Sequence, residues 1–367
     1  MKPLPRLLFA VILSWISLGW LGQAAQAEPY LAVRQGLKCM TCHENPTGGG
    51  LRNTFGNVYA QNVLPQYPVK LGDDGPWTGA INRYLSVGAD LRARGNYTDT
   101  PHQKTQDEFA LHELRAYLQL NAIPDRLSIH IDQRLAPGTS TNLQAYGQLW
   151  FNNRRWYLKA GQMYLPYGLR LEDDTAYIRA VPGVNMTTPD NGVEIGLEQG
   201  SWSVQLAASN GTAGAPESDH GKQWLVRVEN VQPAWRLGGS ASFNDSDAGD
   251  RSLYGAFAGL RTGPIAWLAE ADYVTDKSST LGERKQWVGL LEANWAFHTG
   301  HNLKLSSEFF DPDTDVREDQ QTRYSLFWEY TPLPLVQLRV GGRYYDGIPQ
   351  SDVQNRRLFM AELHAFF

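Results

Sequence analysis

The chain has 367 residues with 33 Lys and Arg against 38 Asp and Glu, a net charge of -5 that provides no basic footprint for nucleic acid. Its mean hydropathy is negative at -0.41, yet it holds 12 Trp, 17 Tyr and 13 Phe. After the first 27 residues no apolar run is long enough for a membrane-crossing helix. Strands that alternate lipid-facing with lumen-facing residues dilute hydrophobicity in this way, and aromatic girdles account for the rings.

Residues 1–27 carry Lys2 and Arg6, an apolar run from Leu7 to Leu21, and Ala25, Gln26 and Ala27 before Glu28. This is the pattern of a secretory signal with an A-x-A cleavage site, since the run is shorter than the roughly 20 residues a spanning helix needs. The mature chain is expected to begin near Glu28, outside the cytoplasm.

Residues 28–78 form a small unit around Cys39, Met40, Thr41, Cys42 and His43, which hold both cysteines of the chain. In C-x-x-C-H spacing two thiols add across the vinyl groups of a haem while the adjacent imidazole ligates its iron. The rival meanings are a plain disulfide, a structural zinc and a dithiol redox centre. Zinc wants four ligands, and no second Cys/His pair lies nearby; a thioredoxin-like motif wants a βαβ context, and none follows. Asn45 to Gly50 reads as a loop, and Leu51, Phe55, Val58 and Tyr59 recur at helical spacing, predicting a short helix over 51–61 that packs on the porphyrin. Leu64 to Trp77, with three prolines and a Gly-Asp-Asp-Gly run, reads as a linker.

From 79 to 367 the pattern has period two. Ala110, His112, Leu114, Ala116, Leu118 and Leu120 share one face, against Leu111, Glu113, Arg115, Tyr117 and Gln119. The same alternation sets Trp287, Leu291, Ala293, Trp295 and Phe297 against Gln286, Glu292 and Asn294. Seven short turns, such as Pro124-Asp125 and Thr262-Gly263, alternate with eight longer polar loops, such as Pro166 to Asn191 and Asp311 to Gln321. That count joins about sixteen strands and leaves both ends of a barrel on the short-turn, periplasmic side. The last strand, Leu358 to Phe367, ends in the terminal Phe that outer-membrane barrels present for assembly. A soluble β-sandwich is the alternative, but it has no need of short and long connections in strict alternation. The expected fold is therefore all-β: a transmembrane antiparallel β-barrel of about sixteen strands with a small N-terminal α-helical c-type haem domain.

Glu113, Asp132, Glu194, Glu270, Glu292, Glu308, Glu329 and Glu362 are placed in the lumen with Arg115, Arg134, Lys159, Arg339 and Arg343, a mixture that lines a pore or grips a plug. The loop containing Glu172, Asp173 and Asp174 is expected to be acidic and solvated. Residues 28–78 contain no second His, and Met40 lies between the anchoring cysteines. A distal haem ligand has then to come from the barrel, from the new amino terminus at Glu28 or from water, or else that position has no ligand. His130, His364 and Met360 face the lumen on this count and are the candidates, whereas His112 is placed towards lipid.

One C-x-x-C-H unit between a signal and a barrel of this kind resembles the fused monohaem c-type cytochrome-porin family, the outer-membrane iron-oxidase-like cytochrome-barrel proteins. The likeness is carried by Ala32 to Gly36, by Cys39, Cys42 and His43, and by Phe55-Gly56; the Asn45 to Gly50 loop departs from the iron-oxidase type. The resemblance implies one covalent haem c, with Cys39 and Cys42 as thioether anchors and His43 as proximal ligand. It implies a bacterial cell outer membrane location, with the haem domain periplasmic or inside the barrel and surrounded by outer-membrane lipid. The implied function is one-electron transfer between an extracellular donor or acceptor and a periplasmic c-type cytochrome or other carrier, ferrous iron included, which makes ferrous-iron:cytochrome oxidoreductase one reading. The alternative is a solute-diffusion porin with a structural or redox-sensing haem plug, and a haem enzyme such as a peroxidase is a third class.

Overall fold

A computed structural model describes residues 28–70, 75–217, 219–247, 249–278, 280 and 282–367. The expected signal at 1–27 lies outside the described residues. Two helices come first, α1 (Pro29–Gln35) and α2 (Thr54–Asn62), with a 3-10 turn at Cys39–Thr41 between them.

The strands follow: β1 (Ala80–Asn82), β2 (Leu85–Asp99), β3 (Gln106–Ile123), β4 (Leu127–Ala136), β5 (Thr141–Phe151), β6 (Trp156–Met163), β7 (Asp190–Gln199), β8 (Trp202–Ser209) and β9 (Gln223–Val231). The second half comprises β10 (Trp235–Asn244), β11 (Gly249–Thr262), β12 (Ile265–Ser278), β13 (Gly282–His298), β14 (His301–Asp311), β15 (Gln321–Leu333), β16 (Val336–Asp346) and β17 (Arg357–Phe366). From β2 onward each strand pairs antiparallel with the next, and β17 returns to β2 with Phe366 opposite Asp90, closing a barrel of sixteen strands. β1 is a short addition paired to the start of β2. Every expected short turn and long loop falls between the strands assigned to it.

Period two is visible in burial. On β17, Met360, Glu362, His364 and Phe366 turn inward, while Phe359, Ala361 and Leu363 turn outward. Outward aromatics fall in two belts. Trp202, Trp235, Trp295 and Phe297 lie beside the short turns, and Trp224, Phe243, Tyr324 and Phe359 lie towards the long loops. These are the interfacial girdles of a spanning barrel, with aliphatic residues between them.

One facing assignment is corrected. A bulge in β3 sets Arg92 opposite Glu113 but Ala93 opposite Leu111, so His112 is the extra residue and the alternation reverses there. Leu111 and Phe109 consequently lie on the outer surface, and His112 has the lumenal Arg94 and Glu362 as its electrostatic neighbours instead of lipid.

The long loop 164–189 is also not the solvated acidic loop expected. It turns into the lumen and carries a short helix, α3 (Tyr177–Ala180). Its apolar side, Leu169, Leu171, Ala176 and Ile178, packs on Phe257, Ala266, Leu268, Val288 and Leu290 of the wall and on Tyr30 and Val33 of α1. Its acidic side meets arginines. Arg339 donates to both Glu172 oxygens at 2.8 and 2.7 Å, Arg92 contacts the same carboxylate, and Arg323 and Arg343 donate to Asp173 at 2.9 and 2.6 Å. Asp174 is 4% exposed, so the solvated reading fails for it as well. Although burial opposes ionisation, Arg343 and Arg323 hold the Asp173 carboxyl far below the usual carboxylate range.

Two expectations follow. A cysteine at Arg317, exposed in the β14–β15 loop, should label with an impermeant maleimide on whole cells, and one at Pro264 in the β11–β12 turn should not; the reverse pattern would invert the topology. Asp173→Ala should loosen the inward loop by on the order of 2 kcal/mol, since it leaves Arg343 without its close carboxylate. Protease nicking within 164–189 of the folded barrel is the measure, and a cleavage rate equal to wild type would refute the latch.

Candidate functional site

The C-x-x-C-H segment is held by its neighbours in sequence before the barrel touches it. Cys39, Met40 and Thr41 form the 3-10 turn, in which the backbone N–H groups of Cys42 and His43 both donate to the Cys39 carbonyl at 3.1 Å. Asn53 caps α2 by accepting from the Gly56 N–H at 3.0 Å, and its amide donates back to the Met40 carbonyl at 3.0 Å. Helix α2 then crosses so close to the motif that a Cβ at Gly56 would lie 2.2 Å from the Cys42 carbonyl oxygen. The buried face of α2 is not the apolar one expected. Gly56, Asn57, Ala60 and Gln61 are buried, and Phe55 is 47% exposed. The reason is hydrogen bonding, because Asn57 and Gln61 donate to the Thr78 and Trp77 carbonyls and so tie down the linker.

Around the unit the barrel makes contact from many directions, at the mouth that carries the short turns. Tyr30 donates to Glu329 of β15 at 3.0 Å, Lys38 to Glu198 of β7 at 2.9 Å, and Lys159 of β6 to Asn45 at 3.1 Å. Arg236 of β10 donates to the Leu37 carbonyl at 2.6 Å, and the linker N–H groups of Gln66 and Tyr67 donate to Thr331 and Pro332 at the end of β15. The left-handed Gly36 that ends α1, at φ 63, lies against the β9–β10 turn, where a Cβ would be 2.7 Å from Pro233. The N-terminal unit therefore sits within the lumen.

Beside the motif is a partly open cavity. Cys39, Cys42 and His43 line it from the unit, Leu169 and Arg170 from the inward loop, and Arg92, Arg227, Arg236, His364 and Phe366 from the wall. Both thiols are free. Burial, then the neighbouring Cys39, pushes the Cys42 thiol up to about 11. Burial, then the Arg52 guanidinium, pushes His43 down to about 3, so its imidazole is neutral, and Nδ1 is buried without a partner.

Two lining arginines differ from the rest. Arg227 and Arg236 share Glu229, each at 3.3 Å, whereas neither Arg52 nor Arg170 ion-pairs with a carboxylate among the described residues. Arg52 stacks on Phe366 with Nη1 bare, and Arg170 donates only to the Gly48 and Leu165 carbonyls. A ligand with an apolar plane, two acidic groups and an atom that accepts an imidazole nitrogen suits this set. Haem answers each condition. The sequence offered no signal for Arg52 or Arg170 as site residues, because nothing local relates either to the cysteines.

The distal candidates separate. His364 lines the cavity. His130 does not: it is buried elsewhere in the lumen, its Nε2 2.8 Å from Ser128 Oγ and its ring stacked on Tyr146 at 4.7 Å. Met360 points inward as expected, but four residues up β17 from His364 it is roughly 13 Å away along the strand and off the cavity lining.

Neither protein-family models nor curated proteins provide a match to the chain. Solved structures do. The anion-selective porin from Comamonas acidovorans matches at TM-score 0.63 and 10% identity, over 77% of this chain and 99% of that one. OmpT of Vibrio cholerae, as a loop L8 deletion mutant, matches at TM-score 0.61 and 11% identity over 77% and 100%. The outer membrane channel DcaP of Acinetobacter baumannii matches at TM-score 0.55 and 14% identity over 77% and 97%. At such identities the likeness concerns the fold, a porin-like outer-membrane β-barrel, which places this chain in the bacterial outer membrane with its apolar belt towards lipid.

Because Gly56 has no room for a side chain, Gly56→Ala should displace α2 from the motif while leaving the barrel intact. The displacement is read as faster thiol labelling of Cys39 and Cys42 in the folded protein before any cofactor is attached. An unchanged labelling rate would show that the close approach does not position the motif.

Proposed function

We propose that this chain carries one covalent haem c on Cys39 and Cys42, with His43 as proximal ligand, and passes single electrons across the outer membrane. The observation that carries the reading is that the C-x-x-C-H segment lies inside the lumen, against a cavity whose remaining walls are the inward loop and the barrel. When bound, the haem supplies a one-electron couple tuned by axial ligation, hydrogen bonding and burial.

The chain's own residues do the rest. Cys39 and Cys42 anchor the cofactor, the neutral His43 offers its ring nitrogen, and Arg52 and Arg170 neutralise two propionate carboxylates. The inward loop and the N-terminal unit occupy the lumen, which favours passage of electrons over bulk solute. A hydrocarbon core of roughly 30 Å is far for one tunnelling step, so a single carrier serves only from within the wall. An extracellular donor that approaches through the loops loses one electron, and a periplasmic carrier such as a c-type cytochrome gains it; the reverse direction is equally allowed. Ferrous iron, oxidised to ferric iron, is a donor of this class.

A second reading draws on the solved structures that share the fold, which are porins and channels. In it the task is solute diffusion, and the haem unit is a structural or redox-sensing plug. One preparation separates the two. Proteoliposomes holding a reduced dye should reduce an impermeant external acceptor, and His43→Ala or the Cys39→Ala, Cys42→Ala pair should abolish this, the pair also losing haem stain in a denaturing gel. Vesicles that are haem-loaded and pass no electrons, yet swell in small sugars, would establish the porin reading instead.

A further inference from the structure

We propose that His364 is the second axial ligand of the haem, with Asp90 as its positioning residue; this rests on the covalent-haem reading above. The N-terminal unit supplies His43 and no other imidazole, and Met40 is confined between the two anchors. A second ligand therefore has to reach the cavity from elsewhere, and His364 on β17 is the wall imidazole that lines it together with His43.

The side chain is set up for ligation. His364 is 5% exposed. Its Nε2 lies 2.8 Å from Asp90 Oδ2 and 3.2 Å from Arg92 Nη2. The shorter contact, to a carboxylate that only accepts, makes Nε2 the N–H side and leaves the lone pair on Nδ1. That atom is buried and has no partner. A ring with one nitrogen held by a carboxylate and the other bare is how protein histidines are oriented and made basic enough to bind a metal. Its plane is packed as well: Phe366 lies 4.6 Å from it, and Arg52 stacks over Phe366 at 4.2 Å.

The competing donors are already engaged or distant. His130 contacts Ser128 and Tyr146, and Met360 lies farther up the strand. Glu28 lines the cavity, but its carboxylate is held by Lys304 at 2.9 Å and Arg339 at 2.6 Å. The assignment fills both axial positions with imidazole. Such a haem has a lower potential than a His/Met one and exchanges electrons without binding small ligands at iron.

The test is optical and EPR spectroscopy of the full-length chain, purified from the outer membrane with its haem and shown folded by heat-modifiable gel mobility. Wild type should be six-coordinate and low-spin. His364→Ala should become high-spin, bind carbon monoxide when reduced, and return to low-spin on adding imidazole. His364→Met should stay low-spin with a raised potential. Asp90→Asn should keep the haem but give a mixture of spin states. If His364→Ala fails to insert, His364→Gln, which preserves bulk, is read in the same way. A low-spin spectrum retained by His364→Ala or His364→Gln, or a high-spin wild type, overturns the assignment and leaves the covalent haem standing. Absence of haem stain from wild type overturns the covalent reading and this assignment together.

Discussion

Charges aimed at the inside of a filled barrel have lost their water, and everything in this molecule follows from how they are repaid with partners. Removing an ion from water costs several kcal/mol even after relaxation, so most of the inward arginines and carboxylates are held in mutual contact. Arg92, Arg323, Arg339 and Arg343 project from β2, β15 and β16, and the carboxylates that meet them come from the inward loop, Glu172 and Asp173, and from the wall itself, Asp90, Glu308, Glu329 and Glu362. Glu28, at the start of α1, joins the same network through Lys304 and Arg339. On β12 and β13 the wall is apolar at Leu268, Val288 and Leu290, and there the same loop presents Leu171 and Ile178. Loop and unit are thus fixed by charge and by dry packing on adjoining parts of the wall.

This arrangement explains why the cavity beside Cys39 belongs to no single part of the chain. A unit of about fifty residues buries too little apolar surface to be stable alone. Here its buried face is completed by the barrel, through Tyr30 and Val33 against Phe257 and Leu268 and through Lys38 against Glu198. The cavity wall takes Arg170 from the loop and His364 and Phe366 from the last strand. Since β17 pairs with β2 to close the barrel, the site is complete only once the barrel is.

The likeness to porins is confined to architecture, and the chemistry lies in what occupies the lumen. A sixteen-stranded wall is wide enough to leave a channel, and what fills it decides whether water, solute or electrons have a path. Here the occupant brings two thiols, an imidazole with a bare nitrogen and two guanidinium groups that have no carboxylate partner among the described residues, all facing one space.

Much of this was legible before any coordinate. Period two, the alternation of short and long connections and the terminal Phe determined the barrel, its strand number and its inward and outward faces, because burial of one face per strand acts locally on every second residue. The spacing of Cys39, Cys42 and His43 marked that segment as a candidate cofactor motif, since such chemistry needs only neighbouring residues. The misreadings have a common cause. His112 reversed its face at a bulge whose extra residue is defined only against the partner strand. Glu172 and Asp173 read as solvated because the arginines that bury them are 80 to 170 residues away. Choosing among His130, His364 and Met360 depended on which inward residue meets the motif across the lumen. Such meetings are set by closure of β17 on β2 and by the depth to which the N-terminal unit enters, distances between segments that no local pattern encodes.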